Sequence, residues 1–307
     1  MNYLNVYADF LKKLIRPSRK IKAVFDCSNG AAGLIVKKLK NKNLELKIIN
    51  EGPDGRFPAH GPNPLKKTAL RDLRLAVRRH KADLGVIFDA DGDRAVFMDN
   101  LGRVVGSDAV GYLLINYLYP KKTIIDPRAS WLLKKLPNRI IAENRVGHYF
   151  IKKQMRKTKT ELAIEGSGHY YFRVLDGYFD SGILAAIQAI NALSRLPYSL
   201  ADFTGLIPQY YRSGEINFKI GNPRKILKTI EKKYKKQAVS VSHLDGLTME
   251  FKGWPVSRSL GEGWWFNLRQ SNTEPFIRLN IETTSKKLLN QKIKELQKII
   301  DKFKCKK

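Results

Sequence analysis

Residues 89–94 read Asp89-Ala90-Asp91-Gly92-Asp93-Arg94, with three carboxylates at alternate positions. The run before them, Leu84-Gly85-Val86-Ile87-Phe88, is apolar and carries β-branched and aromatic side chains, which predicts a buried strand. The acidic loop thus opens at a strand end, where α/β sheets commonly place their ligands. Two carboxylates about 5 Å apart repel by about 3 kcal/mol at an effective dielectric of about 20. A cation among them removes that cost, and a few hard oxygens with room left for phosphate oxygens suit Mg²⁺. A solvated acidic turn would carry the same residues. A calcium EF-hand does not fit: its glycine would have to stand where Arg94 stands, its last glutamate where Asn100 stands, and a helix should precede the loop. Arg94, directly after the triad, adds a fork-shaped donor for phosphate.

With 307 residues the chain has room for two or three domains, and 43% hydrophobic content is enough for real cores. Cys27 and Cys305 lie far apart and form no metal-spaced pair, which points to a reducing compartment without disulfides. The longest apolar run, around residues 112–119, is too short to span a membrane, and residues 1–17 hold no signal-peptide core. The expectation is a soluble cytoplasmic protein with no membrane association. A net charge of +29 implies affinity for anions. The basic residues are spread over residues 71–81, 152–159, 224–236 and 286–307, several of which read as solvated faces of amphipathic helices. Nucleic acid is therefore not the expected partner.

Along the chain, residues 3–15 have apolar side chains at helical spacing and predict a helix ended by Pro17. A strand over 21–26 leads through Ser28-Asn29-Gly30-Ala31-Ala32-Gly33 into a helix over 34–39. That turn lacks both the spacing and the lysine of a P-loop; it reads as a weak phosphate cradle or as a tight turn with close helix packing. Residues 53–64, dense in proline and glycine around Phe57 and His60, predict an ordered loop. A helix over 70–80 follows, and after the acidic loop a hairpin turning at Asp99-Asn100. A second unit begins at Ser107, with a helix over 108–119, a strand over 123–126 and another over 161–165. The last strand ends at Glu165-Gly166-Ser167-Gly168-His169, equally suited to hold sugar hydroxyls or to make a hairpin turn. Asp180-Ser181-Gly182 starts an apolar helix over 183–193. A third unit from about Tyr210 has strands near 214–220, 247–251, 264–268 and 276–281, a helix over 223–234, and a closing amphipathic helix through residues 288–303. Between its last two strands lies Arg269-Gln270-Ser271-Asn272-Thr273-Glu274-Pro275, rich in donors and poor in apolar bulk, which suits a phosphate dianion.

These three loops, in this order and roughly this spacing, resemble those of the α-D-phosphohexomutase family, which includes phosphomannomutase and phosphoglucomutase. Phe57-Pro58-Ala59-His60-Gly61-Pro62-Asn63-Pro64, Val24-Phe25-Asp26-Cys27-Ser28-Asn29-Gly30-Ala31, Val146-Gly147-His148 and Asp180-Ser181-Gly182 strengthen the resemblance, which covers nearly the whole chain. It implies two consecutive α/β domains with mixed sheets, over residues 1–105 (metal-binding) and 106–207 (sugar-binding). A smaller α+β C-terminal domain with an antiparallel sheet, phosphate-binding, would take 208–307.

The resemblance also implies an intramolecular phosphotransferase that interconverts hexose 1- and 6-phosphates, of mannose or glucose, through a hexose 1,6-bisphosphate. Matched by position, Asp89, Asp91 and Asp93 would hold Mg²⁺ and Arg94 would face the phosphoryl group. Glu165 and Ser167 would bind sugar hydroxyls, and His148 and His169 are candidates for proton transfer or phosphosugar contact. Arg269, Ser271, Asn272 and Thr273 would grip the phosphate that is not transferred, and Arg128 would also bind substrate. Arg128 stands where the family usually has lysine, and Ile164 where many members have glycine. The family's phosphate-bearing serine, in a Thr-Ala-Ser-His-Asn-Pro-like loop, has no counterpart here; Ser242-His243 lies in the last unit and reads as structural. The expectation is a chain beginning at the family's second domain, inactive alone, with a separate chain as a possible source of the missing domain. The alternative is a non-catalytic phosphosugar-binding protein.

Overall fold

In a computed structural model the described residues are 2–251, 262–271 and 276–303. They form two compact units. Unit 1 comprises Met1–Ile125, Leu133–Ala142 and His148–Pro208, and unit 2 comprises Asp126–Leu132, Glu143–Gly147 and Gln209–Lys307.

The chain starts with α1 (Tyr3–Leu14), capped by the Asn2 side chain, which accepts from the Asn5 N–H. Then follow β1 (Ile21–Asp26), α2 (Ala32–Val36), β2 (Leu44–Ile49), α3 (Leu70–Arg79), β3 (Leu84–Phe88), β4 (Ala95–Asp99) and β5 (Val104–Val105). The strands make one sheet in the order β2-β1-β3-β4-β5. Its β1 pairs run parallel to β2 and β3, while β4 is antiparallel to β3 and β5. Leu70, Leu73 and Val77 put one face of α3 onto this sheet, against Val24, Ile87 and Met98.

The next stretch holds α4 (Ser107–Leu118), β6 (Lys122–Ile125), α5 (Trp131–Lys134), β7 (Ile140–Glu143), α6 (His148–Thr158), β8 (Leu162–Ile164), β9 (Tyr170–Val174), β10 (Gly177–Asp180), α7 (Gly182–Ser194) and α8 (Leu200–Leu206). Its sheet runs β10-β9-β8-β6-β7, parallel between β6 and β8 and antiparallel from β8 through β10. Ser181 caps α7, a helix buried on nearly every side.

Unit 2 contributes β11 (Tyr211–Arg212), β12 (Ile216–Lys219), α9 (Pro223–Tyr234), β13 (Ala238–Ser242), β14 (Leu247–Phe251), β15 (Trp264–Gln270), β16 (Phe276–Thr283) and α10 (Lys286–Asp301). Its sheet is antiparallel throughout, in the order β11-β16-β15-β14-β13, with β12 also on β16. Apolar residues of α9 and α10, among them Ile226, Ile230, Leu296 and Ile300, pack with Met249, Phe266 and Leu279 into one core.

The two mixed α/β sheets and the antiparallel C-terminal sheet are the fold class expected. Three details differ. The hairpin β9–β10 turns on Leu175 and Asp176, both at positive φ (48° and 59°), the geometry of a type I′ turn, with Gly177 already in β10, so the usual central Asp-Gly signal is absent. The edge strand β13 and the helix α6 also lie in stretches for which the sequence predicts no particular element. Arg269 stands inside β15 and not in the loop after it.

The Pro/Gly-rich loop is ordered, as its aromatic and histidine residues predict. Asp54 N–H donates to Asn29 O at 2.8 Å, and His60 is buried against Asp26. His60 Nε2 lies 3.1 Å from Asp26 Oδ2 and Nδ1 lies 2.9 Å from Gly61 O. Both ring nitrogens face acceptors, so the doubly protonated imidazolium satisfies both; the hydrogen bond to Asp26 holds His60 above its ordinary value, against the effect of burial. Among the described residues no helix is long and apolar enough to cross a membrane.

Candidate active site

The acidic loop of unit 1 is built around one buried carboxylate. Asp89, 2% exposed, follows β3 directly, and Asp89 Oδ1 accepts from the Gly92 and Arg94 N–H groups at 3.1 Å each. Arg94 Nε donates to Asp89 Oδ2. Gly92, at φ +80°, makes the sharp reversal possible. Two further glycines allow the chain to press on the loop from outside. A Cβ on Gly30 would lie 2.4 Å from Ala90 O, and one on Gly182 would lie 2.5 Å from Arg94 O. At these places Ala31 N–H donates to Ala90 O at 2.8 Å, and Gly182 N–H donates to Gly92 O at 3.0 Å. The glycine-rich turn after β1 is thus the tight-packing alternative: it braces the acidic loop.

Asp89, Asp91 and Asp93 each offer a carboxylate oxygen, and these oxygens lie within 4.8 Å of one another. Burial pushes the Asp89 carboxyl above its ordinary range, against the pull of Arg94. That is the behaviour of a buried anion short of positive charge. Burial acts on Asp93 in the same direction, but the hydrogen bond and charge of His169 outweigh it and hold Asp93 low. Convergent hard oxygens, one of them short of positive charge, fit a small divalent cation. A second group that can converge within 4.8 Å is Asp93, His148 and Asp180. There His148 is largely exposed, its Nδ1 3.8 Å from Asp180 Oδ2, and Lys152 Nζ bonds Asp180 Oδ1 at 2.7 Å.

The Glu165–His169 loop joins β8 to β9, so it is a hairpin turn as well as a polar cluster. Gly168 N–H donates to Glu165 O at 3.1 Å and Glu165 N–H to His169 O at 3.0 Å. Glu165 is 1% exposed, and its Oε2 accepts from Tyr171 OH at 2.6 Å. His169 Nδ1 lies 3.2 Å from the same oxygen and 2.8 Å from Ser167 Oγ. On its other side His169 Nε2 lies 3.4 Å from Asp93 Oδ2. Burial works against the imidazolium, yet the two carboxylates raise His169 to about 9. Ala95 N–H donates to Gly168 O at 3.0 Å, which ties this loop to the end of the acidic one. Within unit 1 the structure therefore brings together Asp89, Asp91, Asp93, Arg94, Glu165, Ser167 and His169, with His148 at the margin. Sequence reasoning missed Tyr171; its signal is the period-2 spacing from His169 along β9.

Unit 2 gathers arginines. Arg128 clasps the buried Asp126 with two bonds, Nε to Oδ1 at 3.1 Å and Nη2 to Oδ2 at 2.8 Å. Arg269 is 7% exposed, and its Nε finds no hydrogen-bond partner among the described residues. Burial, then the charge of Arg128, holds Arg269 below its ordinary value. Ser271 N–H donates to Phe276 O at 2.9 Å, and Ser271 Oγ accepts from Arg278 Nη2 at 3.1 Å. Asn272 and Thr273 lie outside the described residues. Arg278 and Glu215 were not among the sequence-derived candidates; an arginine within the largely apolar run of β16 is the signal for the first.

Comparison with known proteins gives one consistent result. Three family models match in order: phosphoglucomutase/phosphomannomutase α/β/α domain II over residues 5–102, α/β/α domain III over 106–210, and the C-terminal domain over 215–299. A phosphomannomutase of Methanocaldococcus jannaschii is 34% identical over 311 residues, covering 99% of this chain and 66% of its own length. A phosphomannomutase of Vibrio cholerae is 36% identical, covering 99% of this chain and 67% of its own. The chain thus spans about two thirds of these relatives. A solved structure from Burkholderia thailandensis, a phosphoglucomutase/phosphomannomutase family protein, superposes with a TM-score of 0.82 at 25% identity, covering 97% of this chain and 64% of that one.

Proposed function

This chain belongs to the phosphoglucomutase/phosphomannomutase family, and on that premise we propose that it supplies the metal, sugar and phosphate contacts of a Mg²⁺-dependent hexose phosphate mutase. The substrates would be hexose 1- and 6-phosphates of mannose or glucose, exchanged through the 1,6-bisphosphate. The observation that carries the reading is the chain of ion pairs that links the acidic loop to the Glu165 loop: Arg94 with Asp89 and Asp93, and His169 with Asp93 and Glu165.

Asp89, Asp91 and Asp93 would hold Mg²⁺, which when bound withdraws charge from phosphoryl oxygens. Arg94, oriented by Asp89, has further N–H donors for the phosphoryl group. Glu165 and Ser167 accept and donate to sugar hydroxyls, while His169, charged at neutral pH, gives up a proton or holds one at Nε2 beside Asp93. Arg128, Arg269 and Ser271 form the clamp for the phosphate at rest, and the Nε of the buried Arg269, which has no hydrogen-bond partner among the described residues, is a donor that such a phosphate would satisfy. The phosphoserine that the family resemblance calls for would come from outside these 307 residues.

The test has two parts. Calorimetry with Mg²⁺ and with glucose 1-phosphate should show binding, and Asp91→Ala should weaken Mg²⁺ at least tenfold. Isomerisation of mannose or glucose 1-phosphate should appear when a phosphoserine-bearing domain from a relative is supplied, and should fall with the same substitution. Wild-type Mg²⁺ affinity in Asp91→Ala refutes the metal assignment. Sugar phosphate binding with no turnover in any combination leaves the chain a phosphosugar-binding protein.

A further inference from the structure

Three arginines of unit 2 meet at one carboxylate. Glu215 Oε1 lies 3.1 Å from Arg278 Nη1, and Glu215 Oε2 lies 3.6 Å from Arg269 Nη2 and 3.8 Å from Arg128 Nη1. Only the first of these is a hydrogen bond; at the other two separations charge acts without fixing geometry. The arginines take their orientation elsewhere. Asp126 holds Arg128 through two bonds, and Ser271 Oγ takes the other Nη of Arg278.

Arg269 and Arg278 stand directly opposite each other in the β15–β16 ladder. Like charges in that position destabilise a sheet, so this one holds a concentration of positive charge that structure alone does not ask for. Glu215 is placed against it by its own backbone. Ser213 N–H donates to Ile281 O at 3.0 Å, Ile281 N–H donates to Ser213 Oγ at 2.9 Å, and the next residues pair as Ile216 with Leu279 and Asn217 with Arg278. The Glu215 side chain is 27% exposed, close to the 23% of Arg278 and above the 8% of Arg269 and the 11% of Arg128. The carboxylate therefore sits on the side that solvent and ions reach.

Resting on the phosphate-clamp reading above, we propose that Glu215 is the internal counter-anion of the clamp, a specificity-determining residue that weakens the arginines' hold enough for the phosphate to leave. A sugar bisphosphate that exchanges its ends must be released by the clamp in every cycle. Without Glu215 only Asp126, bound to Arg128, and the charge of Asp245 would oppose three guanidiniums, which would then retain a dianion too long. Glu215 contributes repulsion toward any bound phosphate and a replacement partner for the arginines when the phosphate departs.

The experiment is titration of the full chain with glucose 1-phosphate in about 0.15 M salt, for wild type, Glu215→Gln, Glu215→Asp and Arg269→Gln. Glu215→Gln should bind about fivefold more tightly or better, while Glu215→Asp, which keeps the charge, should stay within about twofold of wild type. A residue that merely maintained the fold or aimed the arginines would weaken binding when removed, so equal or weaker binding by Glu215→Gln overturns the proposal. Should that variant not fold, Glu215→Asp still decides: the shorter acid stands farther from the arginines, and a loss of affinity beyond twofold marks an orienting role and overturns it too. Arg269→Gln checks the premise separately. If it binds glucose 1-phosphate as well as wild type does, or if wild type does not bind, the clamp itself is misplaced and this inference falls with it. Weakened binding in Arg269→Gln beside unchanged binding in Glu215→Gln removes only the counter-anion assignment.

Discussion

Tyr171→Phe isolates the bond that positions the proposed sugar-binding carboxylate. Tyr171 is fully buried and its OH donates to Glu165 Oε2 at 2.6 Å. Phenylalanine keeps the ring and its packing, so the change removes one donor and little else. Glu165 is 1% exposed, and no water reaches it easily to take the donor's place. A hydrogen bond to a charged group contributes about 1.5–3 kcal/mol, and that is the expected loss. With a urea m-value of roughly 3 kcal/mol/M the unfolding midpoint should drop by roughly 0.5–1 M with m unchanged. In a Glu165→Gln background the same substitution breaks only a neutral bond and should cost about 1 kcal/mol. The difference between the two backgrounds measures the charge. If Tyr171→Phe alone costs under about 0.5 kcal/mol, Glu165 is not a buried anion held by this tyrosine, and the account of the sugar loop is wrong.

Two other perturbations follow from the site and its surroundings. Gly30→Ala puts a methyl group 2.4 Å from Ala90 O, between two of the carboxylates; it should cost about 1–3 kcal/mol in thermal or urea unfolding and weaken Mg²⁺ in calorimetry, and wild-type values in both would show that the turn does not brace the loop. His60, raised above its ordinary value by Asp26, contributes stability that is fully present below its unfolded value of about 6.5 and is lost as pH rises through the folded one. His169 has the same sign, so the readout is the difference from His60→Gln: the gap in unfolding free energy should be full near pH 6 and narrow as pH rises above about 6.5, and a gap that does not vary with pH refutes the imidazolium assignment.

What could be read from the sequence was local. The acidic triad announces itself because Asp89, Asp91 and Asp93 crowd within five residues behind an apolar run, and the cost of that crowding demands an explanation at any fold. Likewise Ser181 before an apolar run signals a helix cap, and the cap is there. The purpose of Gly30 and Gly182 was not legible. Each is required by a backbone carbonyl, Ala90 O or Arg94 O, that comes near only after the sheet has formed. His60 is similar: its surroundings signalled an ordered loop, but its partner Asp26 is 34 residues away.

The same distinction explains why half of the arginine cluster was missed. Arg269 sits next to Ser271 in a donor-rich run, so its chemistry shows in the sequence. Arg278 shows there only as one charge within the largely apolar run of β16, and Glu215 only as one charge just before β12. Their meaning comes from register, which sets Arg278 opposite Arg269 and, by pairing β12 with β16, brings the preceding Glu215 alongside. A one-residue slip of either strand would turn these side chains to the other face of the sheet. Register in a half-buried sheet is fixed by its apolar face, here Phe266, Leu268, Ile277 and Leu279. The core residues that say nothing about chemistry therefore decide which charges meet. An opposed arginine pair survives in such a sheet only if an anion offsets it, from within through Glu215 and from outside through the phosphate it is proposed to hold.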